Sequence, residues 1–403
     1  MTAPDILSPE FAANPYPLYR QMRDDYPLHY HELMKSYVIS RYDDVEKAFK
    51  DSIFSSKNYD WQLEPVHGRT ILQMEGREHA THRNILTPSF RGRDLGEKFI
   101  PVIQQAAAEL VEQFKGKGQV DLVGEFARLF PITVIVNMLA LPREDLPKFN
   151  KWYTSIIAFL SNLSGDADVT ASGLQTKEEL EAYMLPIIEE RRANPGPDLL
   201  STLCTAVVDG VQMTDLEIKA FVSLLLAAGG ETTDKAISNL FLNLIRNPDQ
   251  LDAVRKDRTL IDRATAEMLR HSAPVQMIMR TPTEDVEMSG GVIPAGNTVT
   301  CLIGAANRDE RVYATPEIFN IFRDDLDVKQ AFTGAANHTA FALGRHFCVG
   351  SMLAKAEMEI AVNLLLDNMD NIAFAEGEPP EVGVFTRAPK TLKLTFTPTA
   401  YAQ

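Results

Sequence analysis

A single cysteine in a short glycine-bearing loop constrains this chain most. Cys348 lies in Phe341-Ala342-Leu343-Gly344-Arg345-His346-Phe347-Cys348-Val349-Gly350, and a helical pattern begins at once with Ser351-Met352-Leu353-Ala354-Lys355. The spacing predicts a loop that delivers one sulfur just ahead of a helix N-terminus. Unpaired N–H groups and the positive end of the helix dipole favour a thiolate there and lower its pKa. Gly344 and Gly350 allow turns and close backbone approach that a side chain would block. One cysteine cannot build a zinc site, which draws on several N and S ligands. It is enough for a haem iron, where the porphyrin supplies the other four donors.

A second constraint lies in Phe221-Val222-Ser223-Leu224-Leu225-Leu226-Ala227-Ala228-Gly229-Gly230-Glu231-Thr232-Thr233-Asp234. The first half is apolar on every face, so this helix is expected to be buried all round. Two adjacent glycines inside a helix cost about 1 kcal/mol each relative to alanine, so they mark a close approach or a kink. The Thr232 hydroxyl is placed to bond the carbonyl of Ala228 and bend the helix further. A groove with a hydroxyl and a carboxylate at its lip is the expected result.

The remaining chain reads as mainly α. A helix is predicted from about Pro17 to Asp24, strands at Pro27 to Tyr30 and Ser36 to Ser40, and a helix from Arg41 to Phe49 capped by an acid. Lys57 to Leu72 shows no period and reads as a loop. From Glu78 to the end of the 240s the pattern is almost continuously helical, as in Phe99, Ile103, Ala107, Leu110 and Phe114. Strand signals return at Val286 to Met288, Val292-Ile293, Val299 to Leu302 and Leu392 to Phe396. Long helices with a few segregated strands describe a mainly α protein with small β-sheets. No linker or repeat divides the 403 residues, so one domain over 1–403 is expected.

Charge and cysteine usage exclude several functions. The net charge of −15 repels phosphate backbones, making nucleic acid an unfavourable partner, and argues against a basic membrane-surface patch. The three cysteines are far apart, without a CxxC, which fits a reducing cytoplasm; Cys204 and Cys301 read as core filler. The N-terminus lacks a signal layout, and the uncharged run from Ala220 to Gly230 is too short to span a bilayer, so no membrane anchor is expected.

The pattern Phe-x-x-Gly-x-His-x-Cys-x-Gly, filled by Phe341, Gly344, His346, Cys348 and Gly350, resembles the haem-thiolate loop of the cytochrome P-450 superfamily. The stretch Ala228 to Thr233 resembles its oxygen-binding helix, and the likeness runs from Asn14 to the C-terminal strand. It implies the family fold, with a long central oxygen-binding helix over haem b (Fe-protoporphyrin IX) and a small β-rich region. It implies Cys348 as the iron ligand, Thr232 as the hydroxyl that bonds dioxygen, and Glu231 as a proton relay. Ala228, Gly229, Phe341 and Gly350 border the cofactor in this reading. His79 and Arg83 match the family's His-x-x-x-Arg. With Arg280 and His346 they would hold the two propionates, while His82 points elsewhere and His338 fixes the loop. Glu267 and Arg270 match a structural Glu-x-x-Arg pair, with Arg323 completing it. Ala342 replaces a glycine common in relatives, which requires that turn to keep negative φ.

The activity implied is insertion of one oxygen atom from O2 into a C–H bond of a hydrophobic small molecule. Electrons would come from a separate ferredoxin or flavodoxin, since no electron-transfer domain is evident. Arg91, Arg93, Arg345 and Lys355 are candidate docking cations. By position, Trp61, Leu63, Ile71, Leu225, Ala228, Val275, Met277, Ile278, Val384 and Phe385 should line the substrate pocket. Glu64, His67 and Arg69 could anchor a polar group of the substrate, although exposure to solvent is the favoured reading. A peroxide-driven peroxygenase and a non-catalytic haem-thiolate binding protein are the alternatives, and the Glu231–Thr232 pair argues against both.

Overall fold

The computed structural model describes residues 2–162 and 165–399. The helices that build the site are, in chain order, α1 (Tyr16–Asp25), α2 (Tyr42–Lys50), the single turns α3 (Tyr59–Gln62) and α4 (Glu64–His67), α5 (Gly76–Phe90), α6 (Leu129–Met138), α7 (Leu146–Leu160), α8 (Ala167–Ala193), α9 (Asp215–Arg246), α10 (Ile261–His271) and α11 (Ser351–Asn368). The strands are β1 (Leu28–His31), β2 (Ser36–Ile39), β3 (Phe54–Ser55), β4 (Gln119–Asp121), β5 (Met277–Pro282), β6 (Val286–Met288), β7 (Gly291–Ile293), β8 (Thr298–Leu302), β9 (Met369–Phe374), β10 (Glu381–Val382), β11 (Ala388–Pro389) and β12 (Lys393–Pro398). The largest sheet has the order β1-β2-β8-β5-β3, with β2 and β8 parallel and its other pairs antiparallel. The chain is mainly α with small sheets, as its periodicity predicts.

Helix α9 is the axis of the molecule. Thr214 starts it with a capping box: its Oγ1 accepts from the Glu217 N–H at 3.2 Å, and Glu217 Oε2 accepts from the Thr214 N–H at 2.7 Å. From Ile218 to Ala227 every residue is buried, so packing rather than amphipathic placement holds this stretch. The glycine pair does not break the helix, which runs unbroken through all 32 residues. It serves close approach instead. A Cβ on Gly230 would lie 2.6 Å from Ile132 Cδ1 and 3.2 Å from the Tyr153 ring, and one on Gly229 would lie 3.1 Å from Ile135 Cδ1. Helices α6 and α7 therefore seat against α9 at a spacing that only glycine allows.

Two local expectations are corrected. Helix α2 carries no side-chain cap of its own; Asp309, remote in sequence, accepts from the Tyr42 N–H at 2.9 Å. The stretch from Lys57 to Leu72, read as loop, contains the turns α3 and α4, whose four-residue lengths are too short to print a helical period.

Below α9, an ionic knot ties α10 to the segment that precedes the cysteine loop. Glu267 accepts from Arg270 Nε and Nη2, both at 2.7 Å, and from the Asn320 N–H at 2.8 Å, with Arg323 Nε at 3.0 Å. Arg270 also donates to the carbonyls of Asn307, Pro316 and Ile318. Glu267 and Arg270 are fully buried. A lone charge left inside the protein is costly, so the group is stable only complete. Glu267→Gln should cost about 3–5 kcal/mol, a large fraction of a domain's usual stability; denaturant unfolding against wild type measures it, and a loss under 1 kcal/mol would contradict this account.

Candidate functional site

The cysteine loop is held by short-range contacts. The Cys348 N–H donates to the Phe341 carbonyl at 3.0 Å, and the Ala342 N–H donates to Thr339 at 3.0 Å. Gly344 takes φ +68°, and a Cβ there would meet the Phe49 carbonyl at 2.5 Å. Ala342 departs from expectation: its φ is +54°, in the left-handed region. The loop imposes that conformation whichever residue occupies it, and alanine is strained there by about 1–2 kcal/mol. Burial is the largest influence on the Cys348 thiol and pushes its pKa up. The Gly350 and Ser351 N–H groups at the start of α11, with Arg83 nearby, pull the other way without overcoming it. The dipole argument thus has the right direction but loses to desolvation in the protein alone. Ala342→Gly should raise stability by about 0.5–1 kcal/mol by relieving the strain; a lower melting temperature would show that the buried methyl matters more.

Cys348 opens onto a large, mostly apolar cavity. Thr232, Ala228, Gly229 and Leu225 of α9 border it, as do Ile71, Val275 and Ile278, and Phe341 and Gly350 of the loop. Five residues expected in this lining are elsewhere. Trp61 is 59% exposed on α3, and Leu63 sits at the joint between α3 and α4. Met277, Val384 and Phe385 pack instead with Phe11, Tyr19 and Met22 under the N-terminus. Strand alternation explains Met277: Ile278 and Arg280 face the cavity, so their neighbour faces the other side. The same holds across the Val275–Thr386 bridge, where Phe385 accepts from the Gln276 N–H at 2.7 Å and turns outward.

At one end of the cavity stand donors without acceptors. Arg83 and Arg280 both line it, and among the described residues neither has a carboxylate within 4 Å. Arg280 lies over the Phe49 ring and donates only to Met279 O at 2.8 Å and, at 3.5 Å, to Tyr59 Oη. Burial, together with the charges of His346 and Arg83, pushes His79 down to about 4, so it is a neutral N–H donor. Buried cations need an anionic partner, and a ligand bearing two carboxylates fits this end. Haem, with two propionates and an iron that a sulfur can bind, fits a cavity lined by these donors and by Cys348. His346 stacks on His79 with ring centroids 4.3 Å apart, but its Nε2 is bonded to Ser56 Oγ at 2.9 Å, with Glu75 at 3.5 Å. Glu75 also accepts from Arg345 Nε at 2.7 Å; burial alone would raise its carboxyl, and these partners hold it well below the carboxylate range. Among the described residues no cluster of His, Cys, Asp or Glu is arranged to hold a metal ion, so an iron at Cys348 has to bring its other donors.

On α9 the acid and the hydroxyl diverge. Thr232 Oγ1 donates to Ala228 O at 2.7 Å, as its spacing predicts. Glu231 turns the other way: Tyr153 Oη of α7 donates to its Oε2 at 2.5 Å, and Thr386 Oγ1 and Lys235 Nζ reach its Oε1 at 3.0 and 2.9 Å. Burial raises this carboxyl, but Lys235, Tyr153 and Thr386 outweigh it and keep it ionised. Next to it, burial pushes Asp234 up to about 6. Glu357 of α11 also borders the cavity; it is bonded by Thr233 Oγ1 at 3.1 Å, and burial pushes it up to about 8.

Other residues fall away from the cavity. His82 faces Glu217 at 3.2 Å, and His338, fully buried, accepts from the Ala340 N–H. His67, read as exposed, is fully buried and bonded to Ser223 at 2.8 Å; Arg69 is exposed and paired with Glu78, and Gln73 donates to Glu64. Of the candidate docking cations, Arg345 is committed to Glu75, Lys355 to Asp262 at 2.8 Å and Arg93 to Glu97 at 2.9 Å. Sequence reading missed Tyr59, Glu75, Tyr153, Glu357 and Thr386. Only Glu357 left a signal, an acid on the apolar face of the helix that follows the cysteine.

A sulfur at a helix start, a dicarboxylate-sized gap in charge and a glycine-bearing helix across the cavity define a haem-thiolate protein. The family model described as "Cytochrome P450" matches residues 12–396, and the chain belongs to that family. It is 40% identical to pulcherriminic acid synthase of Bacillus subtilis (strain 168) over 97% of each chain, and 33% identical to cytochrome P450 monooxygenase PikC of Streptomyces venezuelae over 91% of this chain and 86% of that one. Among solved structures it is similar to cytochrome P450 CYP109Q5 from Chondromyces apiculatus (TM-score 0.88, 31% identity, 99% and 100% coverage). It is also similar to P450BioI in complex with a hexadec-9Z-enoic acid ligated acyl carrier protein (TM-score 0.86, 30% identity, 96% and 100% coverage). The protein is a haem-dependent monooxygenase, an oxygen-incorporating oxidoreductase. Among the described residues no helix is long and apolar enough to cross a membrane.

Glu357 gives a pH test. Its folded pKa lies above the ordinary value of 4.5, so between there and about 8 the unfolded chain releases a proton that the folded chain keeps. Its contribution is fully present below that window and is lost as pH rises through it, by at most about 1.4 kcal/mol per pH unit. Unfolding free energies of wild type and Glu357→Gln should therefore diverge with rising pH, wild type losing more; parallel curves would refute the buried neutral carboxyl.

Proposed function

We propose that this chain is a single haem b domain, working in the cytoplasm, that uses O2 and electrons from a separate ferredoxin or flavodoxin to hydroxylate, or otherwise oxidise, a hydrophobic small molecule. The similarity to pulcherriminic acid synthase makes formation of pulcherriminic acid, or a compound of that kind, its first candidate reaction. The observation that carries the reading is that Cys348 and Thr232 border one apolar cavity that is also lined by Arg83 and Arg280, cations with no carboxylate partner among the described residues.

In this mechanism Cys348 Sγ would hold the haem iron, and the Gly350 and Ser351 N–H groups would stabilise its charge. Arg83, Arg280 and His79 hold the propionates, with His346 braced beside them by Ser56 and Glu75. When bound, haem supplies oxygen activation and transfer to a C–H bond. Leu225, Ile71, Val275 and Ile278 keep the substrate dry and close to that centre. Thr232 turns its Oγ1 proton from Ala228 O toward the cavity. Glu231, ionised at rest, would take a proton from Lys235 at 2.9 Å and, released from Tyr153 and Thr386, pass it to Thr232; Lys235, partly exposed and 3.8 Å from Asp234, would recover its proton from solvent. Electrons arrive on the cysteine side, where Arg91 has no ion-pair partner among the described residues and is the first of the cations to probe.

Reconstitution with a surrogate ferredoxin, its reductase and NADPH tests the assignment. Thr232→Ala should lower product formation at least ~10-fold while NADPH consumption continues and hydrogen peroxide accumulates. Expression in a Bacillus subtilis strain lacking its pulcherriminic acid synthase tests the product. Peroxide-driven turnover that survives Thr232→Ala would make the protein a peroxygenase. A reduced, carbon monoxide-treated protein without the thiolate-type Soret band would remove the haem-thiolate reading.

A further inference from the structure

We propose that Tyr59 anchors the cofactor: its hydroxyl joins Arg280 in donating to a haem carboxylate, and so fastens the α3 wall of the cavity to the bound group. This rests on Cys348 and the unpaired cations being a haem site. Tyr59 Oη accepts from Arg280 Nη1 at 3.5 Å, its one hydrogen-bond partner among the described residues. That contact uses an oxygen lone pair and leaves the phenolic proton without an acceptor. Two neighbouring donors that line the cavity, one on α3 and one on β5, thus stand together without an acceptor among the described residues.

Elsewhere in the molecule buried arginines are matched. Arg23 faces Glu310 at 2.8 Å, Arg270 faces Glu267 at 2.7 Å and Arg323 faces Asp325 at 2.5 Å. Arg280 is as buried as these and faces no carboxylate, so the missing acceptor is anionic. A carboxylate has two oxygens and takes a charged and a neutral donor together.

The consequence lies in α3. No side chain of this turn is buried, and its tryptophan, Trp61, is exposed. Apolar packing therefore gives α3 little hold on the cavity. The next segment is secured by other means: Val66 and His67 are buried, and Lys219 donates to His67 O at 3.3 Å. The Tyr59 hydroxyl is the polar attachment that α3 offers on the cavity side, and haem completes it.

Purified holoprotein tests this with two measurements that need no turnover. Tyr59→Phe should speed transfer of haem to excess apomyoglobin by roughly ten- to a hundredfold, the worth of one hydrogen bond to a charged group. In wild type, haem incorporation should slow amide exchange over residues 57–62, and Tyr59→Phe should abolish that slowing. Trp61→Ala, on the same turn without a donor toward the cavity, should change neither. An unchanged transfer rate in Tyr59→Phe, retained exchange protection, or an equal effect from Trp61→Ala would each overturn the proposal. The thiolate-type carbon monoxide spectrum separates the two levels of inference. If wild type lacks it, the haem site itself is wrong; if both proteins show it, the outcome bears on Tyr59 alone.

Discussion

Uncompensated charge inside an apolar cavity governs this structure. Arg280 is buried and Arg83 half-buried without a carboxylate to meet them, while burial pushes the Cys348 thiol toward neutrality in the same cavity. A protein chain tolerates such an arrangement when a ligand completes it, because an isolated buried charge costs several kcal/mol. Haem would close both deficits at once, with carboxylates for the guanidiniums and a metal for the sulfur. Three different elements bring these groups to one cavity: β5 carries Arg280, α5 carries His79 and Arg83, and the loop into α11 carries Cys348.

Rigidity is supplied by contacts that leave little room for substitution. The Glu267–Arg270–Arg323 knot fixes α10 against the chain that leads to the loop, and Gly344 lets that loop touch the Phe49 carbonyl. Ala342 shows that the loop geometry, not residue preference, decides the backbone there. The protein keeps a strained alanine rather than a different turn.

The cavity-facing stretch of α9 is organised by partners from two other elements and from α9 itself. Tyr153 of α7, Thr386 of the β10–β11 turn and Lys235 one turn along the helix hold Glu231 away from Thr232. Bringing Glu231 to Thr232 would therefore require small shifts of α7 and of the β10–β11 turn.

Features legible in the chain were those carried by neighbours in sequence. The Phe341-to-Gly350 loop, the Gly229–Gly230 pair, the Thr232–Ala228 bond and the Glu267–Arg270 pair all lie within ten residues, so local spacing encodes them. Periodicity likewise revealed the long helices, since apolar residues three and four apart must share a face. Contacts between distant segments left no such trace. Tyr153 meets Glu231 across 78 residues and Tyr59 meets Arg280 across 221, and nothing in either local sequence marks the partner. Pocket membership failed for the same reason. Met277 and Ile278 are equally apolar, and only the strand's alternation, set by pairing with β8, sends one into the cavity and the other into the core. Residue chemistry chose the cofactor class; packing in three dimensions chose which side chains face it.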